Sequence, residues 1–433
     1  MEREAGGRHG LRRSFTGPHR RHAGTTNGKR DSSQARKNQN QETPMTAFRS
    51  SVFRAVLAVF TCAACVCAAA PAFAADPIKI GFTGPASGGM SLLGQGVRDG
   101  IQVYVDYIND QGGVNGRKLE LIAEDDGYEP MRSLAGVKKL AEQDNVVAIV
   151  SPTGTPGVTA MLPYAQERKL PIIAPYAFSH KLTTPTQRYV FTSLPEVRLQ
   201  ADVLGTYLVK TLKHTKIAAI YQNDDFGQDA VAGFEARMKK DNVPFTKLPF
   251  DRGTSNFSGV VSQARQSGAE DVVFFGIPRD GALIMREANK MGWKPQFSGH
   301  SALGDPQTFT LAGAALVNGA IAVAVMEPLD SKKPAVLDFI ARQKKYLPKT
   351  PPTTYSMHGY NAAEIFVEAL KHVQGEPTGD KIVAALEQMN NFNTGLMSPI
   401  TFTATQHAGS NAVAFMRAED GKWVIKTDWM KAE

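Results

Sequence analysis

Cysteine is almost absent from this chain. The 433 residues contain three cysteines, Cys62, Cys65 and Cys67, and all three lie within the first 75 residues. The remaining residues have no thiol, so their stability does not depend on disulfides and cysteine cannot complete a zinc site there.

An excess of either charge is also absent beyond residue 75. The first 75 residues carry 12 lysine and arginine residues against 4 acidic ones, and the whole chain carries 49 against 41. Residues 76–433 therefore hold 37 residues of each sign, and the basic isoelectric point of about 9.2 comes from the leading segment. Net charge gives no support for nucleic-acid binding, and no nucleic-acid partner is expected.

The leading segment itself has the pattern of an export signal. An alanine- and valine-rich apolar run at residues 52–70 is accompanied by Arg49 and Arg54 and is followed by Ala72-Phe73-Ala74. This pattern predicts a signal peptide at residues 45–74, cleaved after Ala74, and a periplasmic mature protein. A transmembrane anchor is the alternative, but the run is short for a span. Residues 1–44 are polar and arginine-rich. This composition indicates either a disordered segment or upstream sequence that was included because the start codon was placed too early.

Catalytic signatures are incomplete. Residues 299–303 contain the Gly-x-Ser of a nucleophile elbow, but the fifth position is leucine instead of glycine. Residues 94–99 lack the third glycine of the dinucleotide fingerprint, and no H-E-x-x-H pair occurs. The aspartate pairs at 125–126 and 224–225 are more typical of turns and helix caps than of metal sites. The sequence therefore predicts no catalytic residue, no metal, no cofactor and no enzymatic activity.

The chain does contain a repeated unit of apolar strand, polar loop and amphipathic helix. The first unit covers residues 78–110, with a glycine-rich turn at 84–89 between its strand and its helix. Four such units are followed by a restart of the same alternation near Leu194, which continues to residue 325. This pattern is typical of an α/β fold with two doubly wound lobes built on parallel sheets. In such sheets ligands bind beyond the carboxyl ends of the strands.

The last hundred residues change the pattern. Helices are predicted at residues 334–346, 356–372 and 380–389, and a strand-rich tail follows at residues 400–427. Strands that come after helices indicate that the chain crosses between the lobes more than once. We therefore expect residues 76–194 plus 328–394 to form lobe 1, and residues 195–327 plus 395–433 to form lobe 2.

Several motifs carry a resemblance to a known family. They are I-K-I-G-F-T-G-P-A-S-G at residues 78–88, G-G-V-N-G-R-K-L-E at 112–120, E-D-D at 124–126, L-P-I-I-A-P at 170–175 and Y-Q-N-D-D-F-G at 221–227. In this order they resemble the branched-chain amino-acid-binding proteins, the extracytoplasmic components of ABC importers with the type I periplasmic-binding fold. The resemblance implies three crossovers near Leu194, Glu327 and Ser398, a ligand held between the lobes, and an ABC permease and ATPase as partners.

The resemblance also implies where a ligand binds. Family members hold the ligand carboxylate in the loop after the third strand, here Thr153-Gly154-Thr155, with Thr155 as the hydroxyl donor. Thr155 also lies at a predicted helix start, so capping that helix is the alternative role, and both roles can coexist. The further candidate ligand-binding residues are Ser87, Leu93, Tyr176, Ala177, Phe178, Phe226, Arg279, His300 and Ser301.

Two departures from the family pattern bear on the ligand. Phe178 stands where a second hydroxyl is usual, and Gly299-His300-Ser301 lacks the acid that receives the ammonium group of an amino acid. A buried ammonium group without a partner is costly, so the usual zwitterion loses support. Tyr176, Phe178 and Phe226 are expected to form apolar walls. Arg279 is either a partner for a second anionic group or a surface residue.

These observations predict an extracytoplasmic solute-binding protein, monomeric, that delivers a small organic ligand to an ABC importer. The ligand is expected to carry a carboxylate and to be an aromatic acid or amino-acid-like, with dicarboxylates and amides as further candidates. A ligand-sensing receptor domain of the same fold is the alternative. An effector-binding regulator has less support, because a signal peptide is predicted where that class has a helix-turn-helix.

Overall fold

The structure, a computed structural model, describes residues 76–431. Segment 1–44, the predicted signal peptide at 45–74 and the three cysteines lie outside the described residues. Within the described range the predicted alternation of strands and helices produces two sheets of mainly parallel strands with helices packed against them. The predicted fold class is confirmed.

The first sheet is entirely parallel and has the strand order β2-β1-β3-β4-β5. One of its interior strands, β1, buries Ile80 and Phe82 almost completely, as expected for a parallel strand covered on both faces. The strands are β1 (Ile78–Gly84), β2 (Leu119–Asp125), β3 (Ile149–Val150), β4 (Ile172–Ile173) and β5 (Val190–Phe191).

The second sheet has the order β12-β11-β10-β9-β8-β6-β7, and β13 pairs with β11. Strands β6 to β10 pair in parallel, whereas β11 is antiparallel to β10 and to β12. The strand-rich tail thus completes the second sheet instead of forming a unit of its own. The strands are β6 (Ile217–Gln222), β7 (Phe245–Phe250), β8 (Asp271–Phe275), β9 (Gln296–Gly299), β10 (Ile321–Ala324), β11 (Ala412–Glu419), β12 (Lys422–Ile425) and β13 (Met430–Lys431).

Twelve α-helices occur between residues 76 and 431. They are α1 (Ser91–Asp110), α2 (Pro130–Glu142), α3 (Thr155–Glu167), α4 (Val197–Thr206), α5 (Asp225–Lys240), α6 (Ser258–Gln266), α7 (Pro278–Lys290), α8 (Gln307–Ala312), α9 (Ala314–Val317), α10 (Pro334–Tyr346), α11 (Thr354–Lys371) and α12 (Gly379–Leu386). Helices α10 and α11 pack against α1, and α12 packs against α11, so this late segment belongs with the first sheet. We call the first sheet with its helices the first lobe, and the second sheet with its helices the second lobe.

Glycines allow α1 and α11 to approach each other closely. A Cβ atom on Gly100 would lie 1.8 Å from the carbonyl oxygen of Ser356, and one on Gly359 would lie 1.9 Å from that of Val97. Both distances are far below any normal contact, so the two helices can meet only because these positions have no side chain. This packing fixes the start of α11, at residues 354–355, beside the start of α1.

Candidate functional site

A small cavity lies where the carboxyl ends of the strands in the two sheets meet. Its volume is about 40 Å³, and we call it the cleft cavity. Seven of the predicted site residues line it: Leu93, Gly154, Thr155, Tyr176, Phe178, Phe226 and His300. Most of them follow directly after a strand end, where ligands bind in open α/β sheets.

Thr155 is placed to bind an acceptor group. It is the first residue of α3 and is 4% exposed, and the preceding Gly154 has a φ of 106°, which favours glycine. The Thr155 Oγ1 atom accepts a hydrogen bond from the backbone N–H of Phe178 at 3.0 Å. No acceptor for the hydroxyl hydrogen occurs among residues 76–431. The hydroxyl can therefore donate to a ligand oxygen, at a helix N-terminus that favours negative charge.

Aromatic rings form the wall of the cleft cavity. The Tyr176 ring packs edge-on against Phe178 at 5.2 Å and against Tyr355 at 5.8 Å between centroids. The Phe178 ring meets Phe226 of the second lobe at 6.4 Å. Edge-to-face pairs at these distances are favourable, and they leave a wall suited to the apolar part of a ligand.

His300 is present in the cleft as a neutral side chain. Its Nε2–H donates to the carbonyl oxygen of Gly276 at 2.8 Å, and its Nδ1 accepts from the N–H of Ala302 at 3.3 Å. Burial lowers the pKa of His300 to about 4. The ring is thus uncharged at neutral pH, so it offers neither a positive charge to a carboxylate nor a negative charge to an ammonium group.

Three predicted site residues lie behind or beside the cleft cavity. The Ser87 side chain is exposed, and its N–H donates to the Oδ1 of Asp125 at 3.2 Å. The hydroxyl of Thr153 is buried and donates to the carbonyl oxygen of Ser151 at 3.1 Å. Ala177 is buried within the apolar core of the first lobe. The structure therefore does not bring these three side chains into the lining.

Arg279 does not line the cleft cavity. Its Nη1 donates to the carbonyl oxygen of Thr254 at 3.0 Å and pairs with the buried carboxylate of Asp280 at 2.7 Å. Arg279 follows Pro278 at the start of α7, and these bonds engage its guanidinium within the second lobe. This placement differs from one of the two roles predicted for Arg279, that of partner for a ligand anion, and leaves the other, that of a surface residue. Ser301 also lies outside the lining of the cleft cavity and faces a second cavity, described below.

Sequence reasoning did not find the remaining lining residues, which are Met90, Tyr128, Gly276, Ile277, Pro278, Ala302 and Tyr355. The position of Tyr128 offered a signal, because it follows the Asp-Asp-Gly turn at the end of β2. Tyr355 offered none that is local, since it reaches the cleft only through the packing of α11 against α1. The fourteen lining residues include no lysine, arginine, aspartate or glutamate.

Polar contacts also join the lobes next to the cleft cavity. The Nη1 of Arg252, after β7, donates to the carbonyl oxygen of Tyr128 at 3.0 Å, and its guanidinium lies 5.5 Å from the Tyr128 ring centroid. The Oγ1 of Thr354 donates to the Oδ2 of Asp305 at 2.6 Å. The structure therefore shows the two lobes in contact around the cavity.

Replacing Arg252 by alanine should weaken ligand binding by about two- to fivefold. The variant loses a contact between the two lobes, worth about 0.5–1 kcal/mol at the exposed position of Arg252, and apparent affinity falls as the population with the lobes in contact falls. Calorimetry against the same ligand measures the change. Arg265→Ala is the control, because that guanidinium donates to the Met291 carbonyl oxygen inside the second lobe. Equal affinities for the two variants would mean that the contact does not contribute to closure.

Two α/β lobes that meet around an aromatic cavity without charged lining residues define a ligand-binding protein of the two-lobed type. The family described as "Periplasmic binding protein" matches residues 77–422. The chain belongs to this family, in its branched-chain amino-acid-binding, type I group. The predicted family is confirmed, and membership implies a periplasmic location.

Individual relatives agree with this assignment. The chain is 24% identical to the Leu/Ile/Val-binding protein homolog 3 of Brucella melitensis over 80% of this chain and 93% of that protein. It is 27% identical to an amino acid binding protein of Pseudomonas aeruginosa over 54% of this chain and 63% of that protein. A crystal structure of a possible leucine/isoleucine/valine-binding protein from Rhodopirellula baltica has 27% identity and a TM-score of 0.77, covering 83% of this chain and 98% of that one.

The relatives are binding proteins and not enzymes, in agreement with the prediction that the chain is not an enzyme. Between residues 76 and 431, no helix has the length and apolar character of a membrane span. The same part of the chain contains no cluster of three or more histidine, cysteine, aspartate or glutamate side chains that could bind a metal ion.

Proposed function

We propose that the protein captures an amino-acid-like carboxylate in the periplasm and delivers it to the permease and ATPase of an ABC importer. The observation that carries the ligand class is the Thr155 hydroxyl at a helix N-terminus inside the cleft cavity, because this hydroxyl can donate a hydrogen bond to a ligand oxygen. The names of the relatives point to amino acids with apolar side chains as their ligands. A carboxylate and an apolar part are the chemistry that this lining suits.

The proposed ligand does not depend on an α-ammonium group. The cleft lining has no carboxylate, and His300 is neutral, so an ammonium group would meet only neutral acceptors. A buried charge without a partner is costly, and an ammonium group would have to be hydrated or held weakly. The lack of a carboxylate in the lining distinguishes the proposed site from one in which an acidic side chain binds the ammonium group of an amino acid.

The proposal includes the way the protein acts. Lobe 1 consists of residues 76–194 plus 328–394 and lobe 2 of residues 195–327 plus 395–433, with crossovers near Leu194, Glu327 and Ser398. The lobes close around the ligand as a monomer after cleavage of the signal peptide at residues 45–74. Closure sequesters the ligand until the importer receives it, a motion typical of this fold.

A matched pair of ligands tests the ligand class. A thermal-shift screen of amino acids and their des-amino analogues identifies binders, since a specific ligand stabilises the folded protein by mass action. Calorimetry then compares leucine with 4-methylpentanoate, which lacks only the amino group. We expect the des-amino acid to bind within about tenfold of leucine, a difference of ~1.4 kcal/mol. An affinity for leucine more than a hundredfold higher would show that the ammonium group has a partner and would overturn the proposal.

A further inference from the structure

A second cavity adjoins the cleft and is much larger. Its volume is about 240 Å³, six times the 40 Å³ of the cleft cavity, and we call it the hinge-side cavity. It lies against the segment that leaves β10 and runs toward α10, where the chain passes from the second lobe to the first. Tyr176 lines both cavities, so the Tyr176 side chain is the shared wall between them.

The cleft cavity alone is too small for a whole amino-acid-like molecule. One water needs roughly 10–15 Å³ of such space, so 40 Å³ holds about three groups of that size. That room suits a carboxylate bound to Thr155 and little more. The rest of a ligand needs further space, and the hinge-side cavity is the space that adjoins it.

The lining of the hinge-side cavity is mainly apolar. Side chains from the second sheet, from α8 and from the crossover segment surround it, among them Phe309, Val325, Leu329, Met416 and Trp423. Such a surface favours hydrocarbon over polar groups, because each apolar group that enters is removed from water.

The polar groups of this cavity are mostly engaged already. Asp305 is 6% exposed, and its carboxylate accepts from the Thr354 hydroxyl at 2.6 Å and from the N–H of Gln307 at 2.7 Å. Glu327 pairs with Lys333 at 2.6 Å. The hydroxyl of Ser301 is buried and has no hydrogen-bond partner among the described residues. The remaining charged residues of the lining, Asp330 and Lys422, are exposed, so their charged groups can stay in water while the interior of the cavity is apolar.

We propose that the ligand extends from Thr155 past Tyr176, with its apolar tail inside the hinge-side cavity. This inference rests on the proposed function, since it takes the carboxylate at Thr155 as given. The ligand is then a carboxylate with an extended hydrocarbon tail, and tail length determines affinity. Because the cavity touches the crossover segment, a bound tail also packs against the part of the chain that connects the lobes.

A homologous series of ligands tests the inference. Calorimetry with butanoate, hexanoate and octanoate should show affinity rising by roughly three- to fourfold for each added methylene, the gain expected from burying it. The compound 6-aminohexanoate should bind more weakly than hexanoate, because its charged end would enter an apolar space. Tighter binding of 6-aminohexanoate would overturn the apolar assignment and would indicate that Asp305 receives a cation.

A cavity-filling variant provides the second test. Leu329→Trp places a bulky indole ring in the hinge-side cavity at a partly exposed position, and it should reduce octanoate binding at least tenfold while butanoate binding is unchanged. Leu337→Trp is the matched control, because Leu337 is 48% exposed on α10 and does not line either cavity. The control variant should bind butanoate, hexanoate and octanoate with the affinities of the wild type.

The outcomes separate this inference from the proposed function. If no carboxylate of any length binds, the proposed function fails. If short carboxylates bind but affinity does not rise with tail length, or Leu329→Trp leaves octanoate binding unchanged, the hinge-side cavity does not hold the tail. The proposed carboxylate site at Thr155 would still be supported in that case.

Discussion

Replacing Thr155 by valine should weaken binding of the best carboxylate by about 1–3 kcal/mol, or roughly 5- to 150-fold. Valine keeps the shape of threonine but removes the hydroxyl that accepts from the Phe178 N–H at 3.0 Å and that would donate to the ligand. Both the backbone N–H and the ligand oxygen would then be buried without their partner. Isothermal calorimetry with the same carboxylate gives the change directly.

Two further variants make this result specific. Thr155→Ser keeps a hydroxyl and should recover most of the lost affinity. Thr159→Val is the matched control, because the Thr159 hydroxyl donates to the Thr155 carbonyl oxygen at 2.9 Å, within the same helix, and does not line the cleft cavity. Melting temperatures without ligand report any loss of fold stability separately. An affinity of Thr155→Val within twofold of wild type would show that this hydroxyl does not bind the ligand.

Gly100→Ala should lower the free energy of unfolding by about 3 kcal/mol, the upper part of the range for inserting a methyl group into a packed interior. The new Cβ would lie 1.8 Å from the backbone oxygen of Ser356, which cannot rotate away as a side chain could. Helix α11 would have to move from α1, and Tyr355 would move with it. Urea unfolding should therefore show reduced stability, and the same variant should also lose ligand affinity.

The control for this prediction is the same substitution at an unobstructed helical glycine. Gly259 lies in α6, and a Cβ there meets no atom within 4 Å. Gly259→Ala should leave stability unchanged or raise it by up to about 1 kcal/mol, because alanine is the better helix former. If Gly100→Ala is as stable as Gly259→Ala, the close approach of α1 and α11 is not required for the fold.

Much of the fold could be predicted because each parallel strand is short, apolar and followed by a polar loop and an amphipathic helix. The exceptions occur where the hydrogen-bond pairing of strands, and not the local sequence pattern, determines the limits of an element. The sequence has an apolar run of strand length at residues 146–150, but β3 covers only Ile149 and Val150. Strand β5 was not predicted, since two residues carry no periodicity. The sequence of residues 196–212 is compatible with a single helix, but α4 ends at Thr206 and a π-helical turn follows.

The candidate site was predictable to the extent that it lies at strand ends. Thr155, Tyr176 and Phe178 follow β3 and β4 directly, so their place at the sheet edge can be read from the sequence. The side-chain direction cannot be read in this way, which is why the sequence left two roles open for Arg279, whose guanidinium is bonded to Thr254 and Asp280 in the structure. The position of Tyr355 at the cleft depends on the packing of α11 against α1, two helices that begin more than 250 residues apart in the chain. The sequence around Tyr355 gives no sign of this contact.

The placement of the last 100 residues has a consequence for the order of events during synthesis. The first sheet needs α10 to α12 to cover it, and the second sheet needs β11 and β12 to complete it, yet all of these come from residues 334–425. Neither lobe can finish folding until residues 334–425 have left the ribosome. Contacts between distant parts of a chain also form slowly. A chain built in this way stays incompletely folded while it is being made, which is the state in which a secretion channel can accept it.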